Sequence, residues 1–402
     1  MEEADAVTLA VEEEERVEVK EETGVDGMKL VQQLIACAEA VACRDKAHAS
    51  ALLSELRANA LVFGTSFQRV ASCFVQGLSD RLTLVQPLGT HGVLSSAPAR
   101  DFSSSFSAEK DEALTLAYEL CPQIQFGHFV ANASILEALE GESSIHVVDL
   151  GMTLGLPCGQ QWQNLMHSIA GPPRLRITGV GPESDRLQAI GLELSCYAAN
   201  LGLNFEFMYI RSSLESLKPE DFDVQEGEAV VINSVLQMHC VVKESRGALN
   251  SVLQVLNELS PKAFILVEQD SNHNGPFFLG RFMESLHYYS AIFDSLDSML
   301  PKYDTRRAKI EQFYFADEIK NIVSCEGPAR VERHERSDQW RRRMSRAGFQ
   351  ASPLKMLAQA KQWLGKAKFC DGYTATEEKG CLVLGWQSRP IIAASSWRCS
   401  KI

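Results

Sequence analysis

The sequence predicts an α/β fold in which a mostly parallel sheet is covered by helices on both faces and carries an additional α-helical cap. Within residues 111–275, short apolar runs alternate with amphipathic stretches of helical period. Runs such as "IHVVDL" (145–150) are apolar at successive positions, which is typical of parallel strands buried on both faces. Residues 28–92 and 276–325 are predominantly helical in pattern, and we expect both to contribute to the cap.

Composition excludes several classes of protein. Of the 402 residues, 45% are hydrophobic and 23% charged, so the chain can bury a large core in one large domain or two closely joined ones. It has no apolar run of 18 residues and no basic segment followed by an apolar one, so we expect no membrane span and no secretory signal. The 11 cysteines include no C-x-x-C pair, which predicts reduced thiols in an intracellular protein and no metal site.

The net charge is unevenly distributed. Residues 1–27 hold eleven acidic residues against Arg16 and Lys20, so they carry −9 of the total of −13. We expect a disordered, solvated tail, with an activation segment as the alternative. The rest of the chain is not basic, which argues against an electrostatic DNA-binding surface. DNA contact is therefore expected to be weak or indirect.

Residues 28–92 predict a group of amphipathic helices with breakers at Gly64 and at 87–89. Apolar residues recur there at three- and four-residue steps. The stripe contains leucines that we expect to contact a partner, namely Leu30, Leu34, Leu53, Leu56, Leu78 and Leu82. The alternative is that every leucine is internal to the cap. The Ser-rich residues 93–110 are predicted to form a loop.

The elements of the core follow in order from their local patterns. One long helix is predicted over 113–141. Strands are then predicted at 144–150, 174–181, 204–210, 228–235 and 262–270. The helices between them are predicted at 160–170, 185–202 and 247–260. Residues 326–402 are expected to supply C-terminal core strands and helices, with strands at 380–386 and 391–399.

The first predicted strand is followed by a turn similar to a nucleotide-binding loop. Asp149, Gly151 and Gly155 follow the D-x-G-x-G-x-G pattern of S-adenosylmethionine-dependent methyltransferases, but Thr153 stands at the middle glycine. A β-branched side chain there hinders close approach of the backbone to a ligand. The acid expected at the end of the second strand is displaced to Glu183.

We therefore interpret this turn as structural and expect no cofactor. The G-x-S-x-G, phosphate-loop and H-E-x-x-H signatures are absent from the sequence, so we expect no catalytic residues and no enzyme activity. The alternative is a methyltransferase or a nucleotide sensor that uses the loop from Asp149 to Gly155, with Glu183 as the acid that holds the ribose.

Three further patterns have both a structural and a functional interpretation. His146 lies within a buried strand, where a hydrogen-bonded core histidine is commoner than a ligand. The segment "SNHNGP" (271–276) is polar enough to line a pocket, but Asn-Gly and Pro also build turns. The charged stretch 329–346 ends in "WRRRMSR", which suits a solvated helix face, with nucleic-acid contact or nuclear import as the alternative.

Several blocks, in order, resemble the plant GRAS-domain family, which includes DELLA and SCARECROW-like regulators, over residues 28–402. The helices of 28–85, the "IHVVDL" block and "RLQAIGLELSCYAANLGLNFEF" resemble its first leucine-rich, VHIID and second leucine-rich regions. "VEQDSNHNGPFF" and "RVERHE" resemble its PFYRE block, and the spaced tryptophans resemble its SAW block. The residues that match family motifs are His146, Asp149, Gln161, Trp162, Arg333, Glu335, Trp340, Gly348, Trp363, Trp386 and Trp397.

Within that family, 229–350 is especially similar to the DELLA repressors, although the sequence contains no DELLA or TVHYNP block. The resemblance implies a Rossmann-like, methyltransferase-like core with a helical cap. It also implies a nuclear regulator of transcription without established catalysis, in plant development, hormone or symbiosis signalling. The implied partners are DNA-binding transcription factors and other GRAS proteins, with a homodimer as a further possibility.

Overall fold

The structure, a computed structural model, describes most of the chain. The described residues are 27–84, 104–152, 159–169, 174–182, 184–245, 247–367 and 371–399. The acidic tail predicted over 1–27 lies outside them except for its last residue, and so do Thr153, Gly155 and Glu183. Within the described ranges, no helix is long and apolar enough to cross a membrane.

The helices are numbered in chain order. They are α1 (27–42), α2 (Lys46–Asn59), α3 (Ser66–Thr83), α4 (Ser104–Leu120), α5 (Pro122–Ala138), α6 (Gln160–Ser168), α7 (Ser184–Leu201), α8 (Gly247–Glu258), α9 (Phe278–Met299), α10 (Thr305–Ile310), α11 (Ala316–Ser324), α12 (Ser337–Arg346) and α13 (Leu357–Lys366). A π-helical turn over Glu311–Phe315 joins α10 to α11.

The strands of the described residues form one sheet. They are β1 (Ser144–Asp149), β2 (Arg174–Gly181), β3 (Phe205–Arg211), β4 (Ala229–Val235), β5 (Ala263–Gln269), β6 (Phe349–Ser352), β7 (Tyr373–Glu378), β8 (Cys381–Trp386) and β9 (Arg389–Cys399). The order is β3-β2-β1-β4-β5-β9-β8-β7, and β6 pairs with the end of β9. Strands β1 to β5 are mutually parallel, whereas β6 to β9 pair antiparallel. The predicted α/β class is confirmed, and its parallel part is the five-strand centre.

Both faces of the central strands are buried. Val147 and Ile265 face one apolar cluster, which includes residues of α5, α6 and α7. Val148 and Phe264 face a second cluster, which includes residues of α8 and α12. Successive side chains of a strand point to opposite faces, so apolar runs without alternation require helices on both sides. This explains why the predicted runs became the centre of the sheet.

Helix α3 joins the two segments of the cap, because it packs against α2 of the first and against α9 and α11 of the second. Its buried Arg69 donates from Nε to both carboxylate oxygens of Glu311 at 3.1 and 3.2 Å, and its Nη2 lies 2.8 Å from Asp297. Burial raises the pKa of Glu311 to about 7, even though Arg69 and Arg307 act to lower it. The two arginines supply the compensating charge that a buried carboxylate requires.

The cap leucines are largely internal. The predicted contact residues that the structure buries, with exposed fractions of 0 to 4%, are Leu30, Leu34, Leu53, Leu56 and Leu78, while Leu82 is half-buried. A side chain that is already packed within its own chain offers no area to a partner. The expectation that these leucines form the contact surface is therefore corrected, and the alternative of leucines internal to the cap describes them.

The structure differs from the predicted elements in three places. Residues 104–110, predicted as loop, belong to α4. The single helix predicted over 113–141 is two helices, because Cys121 is extended before Pro122 and a residue that precedes proline is disfavoured in the α region. Strands β6 and β7 were not predicted, since β6 has only four residues and β7 buries only Tyr373 and Ala375.

The tryptophans of the C-terminal blocks are mostly buried. Trp397 pairs in register with Phe264 on one side and Ala351 on the other, and its Nε1 donates to Oγ of Ser395 at 2.9 Å. Trp386 is also buried and donates to Asp294 at 2.7 Å. Gly348 has a φ of +86° directly after α12, a left-handed conformation that ends a helix at little cost for glycine.

We expect Trp397→Ala and Trp386→Ala each to lower the free energy of unfolding by about 3–5 kcal/mol, because each removes a large buried side chain and leaves a cavity. Urea unfolding followed by circular dichroism measures the change. Trp363→Ala is the matched control, since Trp363 is only half-buried and stacks on Phe129 at a ring distance of 5.3 Å. Equal losses for all three variants would contradict the assignment.

Candidate functional site

The first candidate site lies at the carboxyl ends of β1 and β4, where ligands bind in open α/β sheets. Asp149 ends β1 and is buried. Nε1 of Trp162 donates to its Oδ2 at 3.0 Å, and Nδ2 of Asn233 donates to its Oδ1 at 3.3 Å. The backbone N–H of Gly151 also donates to Oδ1, at 3.4 Å. Both carboxylate oxygens are thus bonded within the chain.

A layer of amides supports this carboxylate. Nε2 of Gln161 donates to Oδ1 of Asn233 at 3.3 Å and to Oδ1 of Asn132 at 3.2 Å. Nδ2 of Asn132 donates back to the backbone carbonyl of Gln161 at 2.8 Å. The adjacent motif residues Gln161 and Trp162 therefore act together, because the first fixes Asn233 and the second bonds Asp149 directly.

The glycines at this edge are occupied by the chain itself. A Cβ at Gly151 would lie 2.9 Å from Oε1 of Gln237. A Cβ at Gly179, near the end of β2, would lie 2.6 Å from Sδ of Met152 and 3.2 Å from Cδ2 of Leu187. In a nucleotide site, the space beside such glycines admits the ligand. Here side chains of the same protein fill that space.

Burial raises the pKa of Asp149 to about 6, although its hydrogen bonds from Trp162, Gly151 and Asn233 lower it. The remaining predicted cofactor residues, Gly155 and Glu183, lie outside the described residues. The described part of the loop therefore offers a buried, internally bonded carboxylate, and its geometry suits the structural interpretation of the turn.

His146, also predicted from this block, is fully buried on β1. Its Nε2 lies 2.8 Å from Oγ1 of Thr178, and its Nδ1 lies 3.1 Å from Nη2 of Arg176, which also pairs with Glu228. Burial lowers the pKa of His146 to about 4, so the imidazole is neutral at neutral pH. It is a hydrogen-bonded core histidine.

A second polar site lies at the carboxyl ends of β4 and β5. Oε1 of Glu268 accepts backbone hydrogen bonds from Gln237, Met238 and His239 at 3.2, 2.7 and 3.3 Å. Its Oε2 lies 2.9 Å from Nδ1 of His239. The short 3₁₀ helix Met238–Val241 that follows β4 is thereby fixed to the end of β5.

The other side of His239 faces the segment between α11 and α12. Nε2 of His239 lies 3.1 Å from Oε2 of Glu332, and Nε2 of His334 lies 3.2 Å from the same oxygen. The backbone of Glu332 is held by Asn321, whose Oδ1 accepts its N–H at 3.0 Å. Burial lowers the pKa of His334 to about 4. We call His239, Glu268, Glu332 and His334 the His239 cluster.

The motif residues Arg333 and Glu335 bind the predicted pocket segment 271–276. Nη1 of Arg333 donates to Oδ1 of Asn274 at 3.0 Å, and Nδ2 of Asn274 donates to Oε1 of Glu335 at 2.7 Å. Glu335 also pairs with Arg343 at 2.5 Å. Arg343, one of the arginines of "WRRRMSR", therefore forms an ion pair within the chain. Trp340 and Met344 of the same helix are buried.

The His239 cluster is not predicted by any local pattern in the sequence. Its members are separated by up to 95 positions in the chain, so no local spacing joins them. One signal was present: "QMHC" follows a predicted strand, and Glu332 and His334 alternate in "RVERHE". Strand ends of a parallel sheet meet at one edge, which would have placed the first of these near Glu268.

Comparison with known proteins decides the family, since the GRAS domain family matches residues 30–398. The chain belongs to the GRAS domain family. A GRAS family protein RAD1 of Lotus japonicus is 70% identical over 390 residues, which are 95% of this chain and 76% of the relative. The DELLA protein GAI1 of Vitis vinifera is 38% identical over 384 residues, 92% of this chain and 62% of the relative.

A solved structure agrees with this assignment. The crystal structure of SCL7 in Oryza sativa matches with a TM-score of 0.78 at 30% identity, covering 92% of this chain and 99% of that chain. The resemblance inferred from the ordered sequence blocks is confirmed, and so is the Rossmann-like α/β class.

If Gly151 and Gly179 accommodate only side chains of the chain itself, calorimetric titration should show no saturable binding of S-adenosylmethionine or of its demethylated product. A dissociation constant in the micromolar range, equivalent to about −8 kcal/mol, would contradict the structural interpretation. Asp149→Asn is the control, because heat that vanishes in this variant would locate binding at the loop.

The raised pKa of Asp149 predicts a pH dependence of stability. Because its pKa is 3.8 in a model compound and about 6 in the folded protein, the folded state retains a proton that the unfolded state has lost between these values. The free energy of unfolding should therefore fall as pH rises through this range, by up to about 3 kcal/mol from this group. Urea unfolding of the wild type and of Asp149→Asn across the range measures the effect. A pH-independent difference between the two proteins would contradict it.

Proposed function

We propose that this GRAS-domain chain is a nuclear transcriptional regulator that acts by contact with DNA-binding transcription factors and other GRAS proteins, and that it has no catalytic role. Membership of the family supports the general part of the proposal, regulation of transcription in plant development, hormone or symbiosis signalling. The mode of action is supported by one observation, an exposed apolar surface on the cap.

We call four exposed apolar residues near the start of the cap the cap patch, namely Met28, Leu61, Phe63 and Phe67, with exposed fractions of 61, 49, 50 and 42%. The four residues come from α1, the connection between α2 and α3, and the first turn of α3. Gly27, beside Met28, lies against the Phe67 ring, because a Cβ there would be 3.0 Å from it. Single exposed apolar residues are ordinary, but a group of large ones marks a contact site.

Charge supports an indirect route to DNA. Guanidinium groups are the strongest phosphate ligands in proteins, yet many in this chain are inaccessible. The arginines with exposed fractions of 2% or less are Arg69, Arg176, Arg281, Arg307, Arg330 and Arg333. With a net charge of −13, the chain is poorly suited to bind DNA alone, and we expect a basic partner to contact the DNA phosphates.

The alternative function, a methyltransferase or a nucleotide sensor, has less support. It requires Asp149 or its neighbours to meet a ligand, but both carboxylate oxygens of Asp149 accept hydrogen bonds from Trp162, Asn233 and Gly151. A ligand would have to replace those bonds with better ones, and the loss of a buried bond costs about 1–3 kcal/mol.

The double variant Leu61→Glu/Phe63→Glu tests the proposal in the full chain. We expect it to fold, because both side chains are half exposed, but to lose regulation of a reporter gene in plant protoplasts and capture of transcription factors from nuclei, each by about tenfold or more. Light scattering reports whether self-association is lost as well, and thermal unfolding reports the fold.

Leu192→Glu is the matched control, since Leu192 is 69% exposed on α7, which packs beside β3. It should regulate the reporter like the wild type. Normal regulation by the cap-patch variant would contradict the proposal. Tight, salt-resistant and sequence-selective DNA binding by the purified chain would also contradict it.

A further inference from the structure

The His239 cluster brings atoms that commonly bind metals together from two distant parts of the chain. His239 and Cys240 follow β4, and Glu332 and His334 lie on the extended segment that precedes α12. Their side chains are fully or almost fully buried. Glu332 and His334 are two positions apart, and in an extended chain such residues project to the same side. One nitrogen from each imidazole and one oxygen from Glu332 lie within 4.8 Å of one another.

The spacing of these atoms matches a tetrahedral site. Oε2 of Glu332 lies 3.1 Å from Nε2 of His239 and 3.2 Å from Nε2 of His334. Ligand atoms placed tetrahedrally around zinc at its usual bond lengths are about 3.3 Å apart. Sγ of Cys240 lies 3.2 Å from Nε2 of His239, but it is not among the donor atoms that all lie within 4.8 Å of one another.

The surroundings of His239 are those of a supported metal ligand. A histidine that binds a metal through one nitrogen usually donates its other N–H to a carboxylate, which fixes the ring and its tautomer. Here Glu268 lies 2.9 Å from Nδ1 of His239, and three backbone N–H groups hold Glu268 in turn. Asn321 plays the corresponding part for the segment of Glu332, since its Oδ1 accepts the N–H of Val331 at 2.9 Å and that of Glu332 at 3.0 Å.

A protonated His239 between the two carboxylates would explain part of this geometry without a metal. It would not explain His334, which is completely buried and stacks against His239 with ring centroids 3.9 Å apart. Nδ1 of His334 has no hydrogen-bond partner in the described part of the chain, and its Nε2 is directed to the same carboxylate oxygen. A metal gives both imidazoles a common partner.

We propose that His239, Glu332 and His334 bind a structural zinc ion that joins the end of β4 to the segment before α12. Imidazole nitrogens beside a carboxylate favour zinc over magnesium or calcium, which prefer oxygen donors alone. The three ligands have exposed fractions of 0 to 1%, so no substrate can reach the metal and the site is structural. No metal site is predicted from the sequence, because it contains no short metal-ligand spacing; His239 and Glu332 are 93 positions apart.

Metal analysis of the full chain, purified without a histidine tag, tests the proposal. Plasma mass spectrometry should find about one zinc ion per chain. Removal of the metal with a chelator should lower the melting temperature, and added zinc but not magnesium should restore it. Cobalt in place of zinc should give the visible absorption of a tetrahedral site, and His334→Gln should abolish it.

His334→Gln should reduce the zinc content by about tenfold or more. His128→Gln is the matched control, because His128 is equally buried, on α5, and its ring nitrogens also lack hydrogen-bond partners within the described residues; it should retain zinc. If His334→Gln fails to fold, the change in melting temperature of the wild type after chelation still tests the proposal. Less than about one zinc per ten chains after growth with zinc, with no effect of the chelator, would overturn the proposal. An unchanged zinc content in folded His334→Gln would overturn it as well.

Discussion

Burial of both faces of the parallel sheet is the constraint on which the rest of the structure depends. Strands β1, β4 and β5 are enclosed along almost their whole length, so polar groups concentrate at their carboxyl ends. Asp149 and Glu268 stand at those ends, and both are buried. A buried carboxylate is costly unless it is paired or hydrogen-bonded. The indole of Trp162 and the imidazole of His239 meet that requirement, so the position of each site follows from the sheet.

The same requirement joins parts of the chain that are distant in sequence. Glu332 reaches His239 from the segment that follows the cap helices, and Arg69 of α3 reaches Glu311 of the π-helical turn. Removal of one partner from a buried ion pair leaves an uncompensated charge, which costs about 3–5 kcal/mol. The two contacts are therefore specific as well as stabilising, because each is satisfied in one arrangement of the helices. The cap leucines contribute buried apolar area, but the hydrophobic effect is non-directional and does not select one arrangement of the helices.

The local pattern of apolar residues in the sequence predicted most of the fold but not the His239 cluster. The strands of the parallel centre follow from unbroken apolar runs, which depend only on neighbours in the chain. β7 was not predicted, because its sequence "TATEE" after Tyr373 is polar on the exposed face. The break between α4 and α5 was not predicted either, although Pro122 at the start of α5 indicates it. The leucines of the cap were predicted, but the face that each one presents depends on α9 and α11, which a helical period alone does not position. The His239 cluster depends on contacts between residues more than ninety positions apart, so it becomes visible only once the strands are ordered.

The surroundings of Asp149 show how the strand-end crevice of a Rossmann-like core can be occupied by the chain's own side chains. The turn after β1 keeps an acid and a glycine, and Gly179 still lies beside it on β2. However, Met152 occupies the space next to Gly179, Gln237 occupies the space next to Gly151, and Trp162 bonds the acid. These contacts are all made within the chain, in the space that a nucleotide would need beside the two glycines. Among the described residues, exposed large apolar side chains lie away from this edge, and those of the cap patch are four of them. Recognition by such a patch needs only exposed shape and apolar area, which a rigid core provides by holding the cap helices in place.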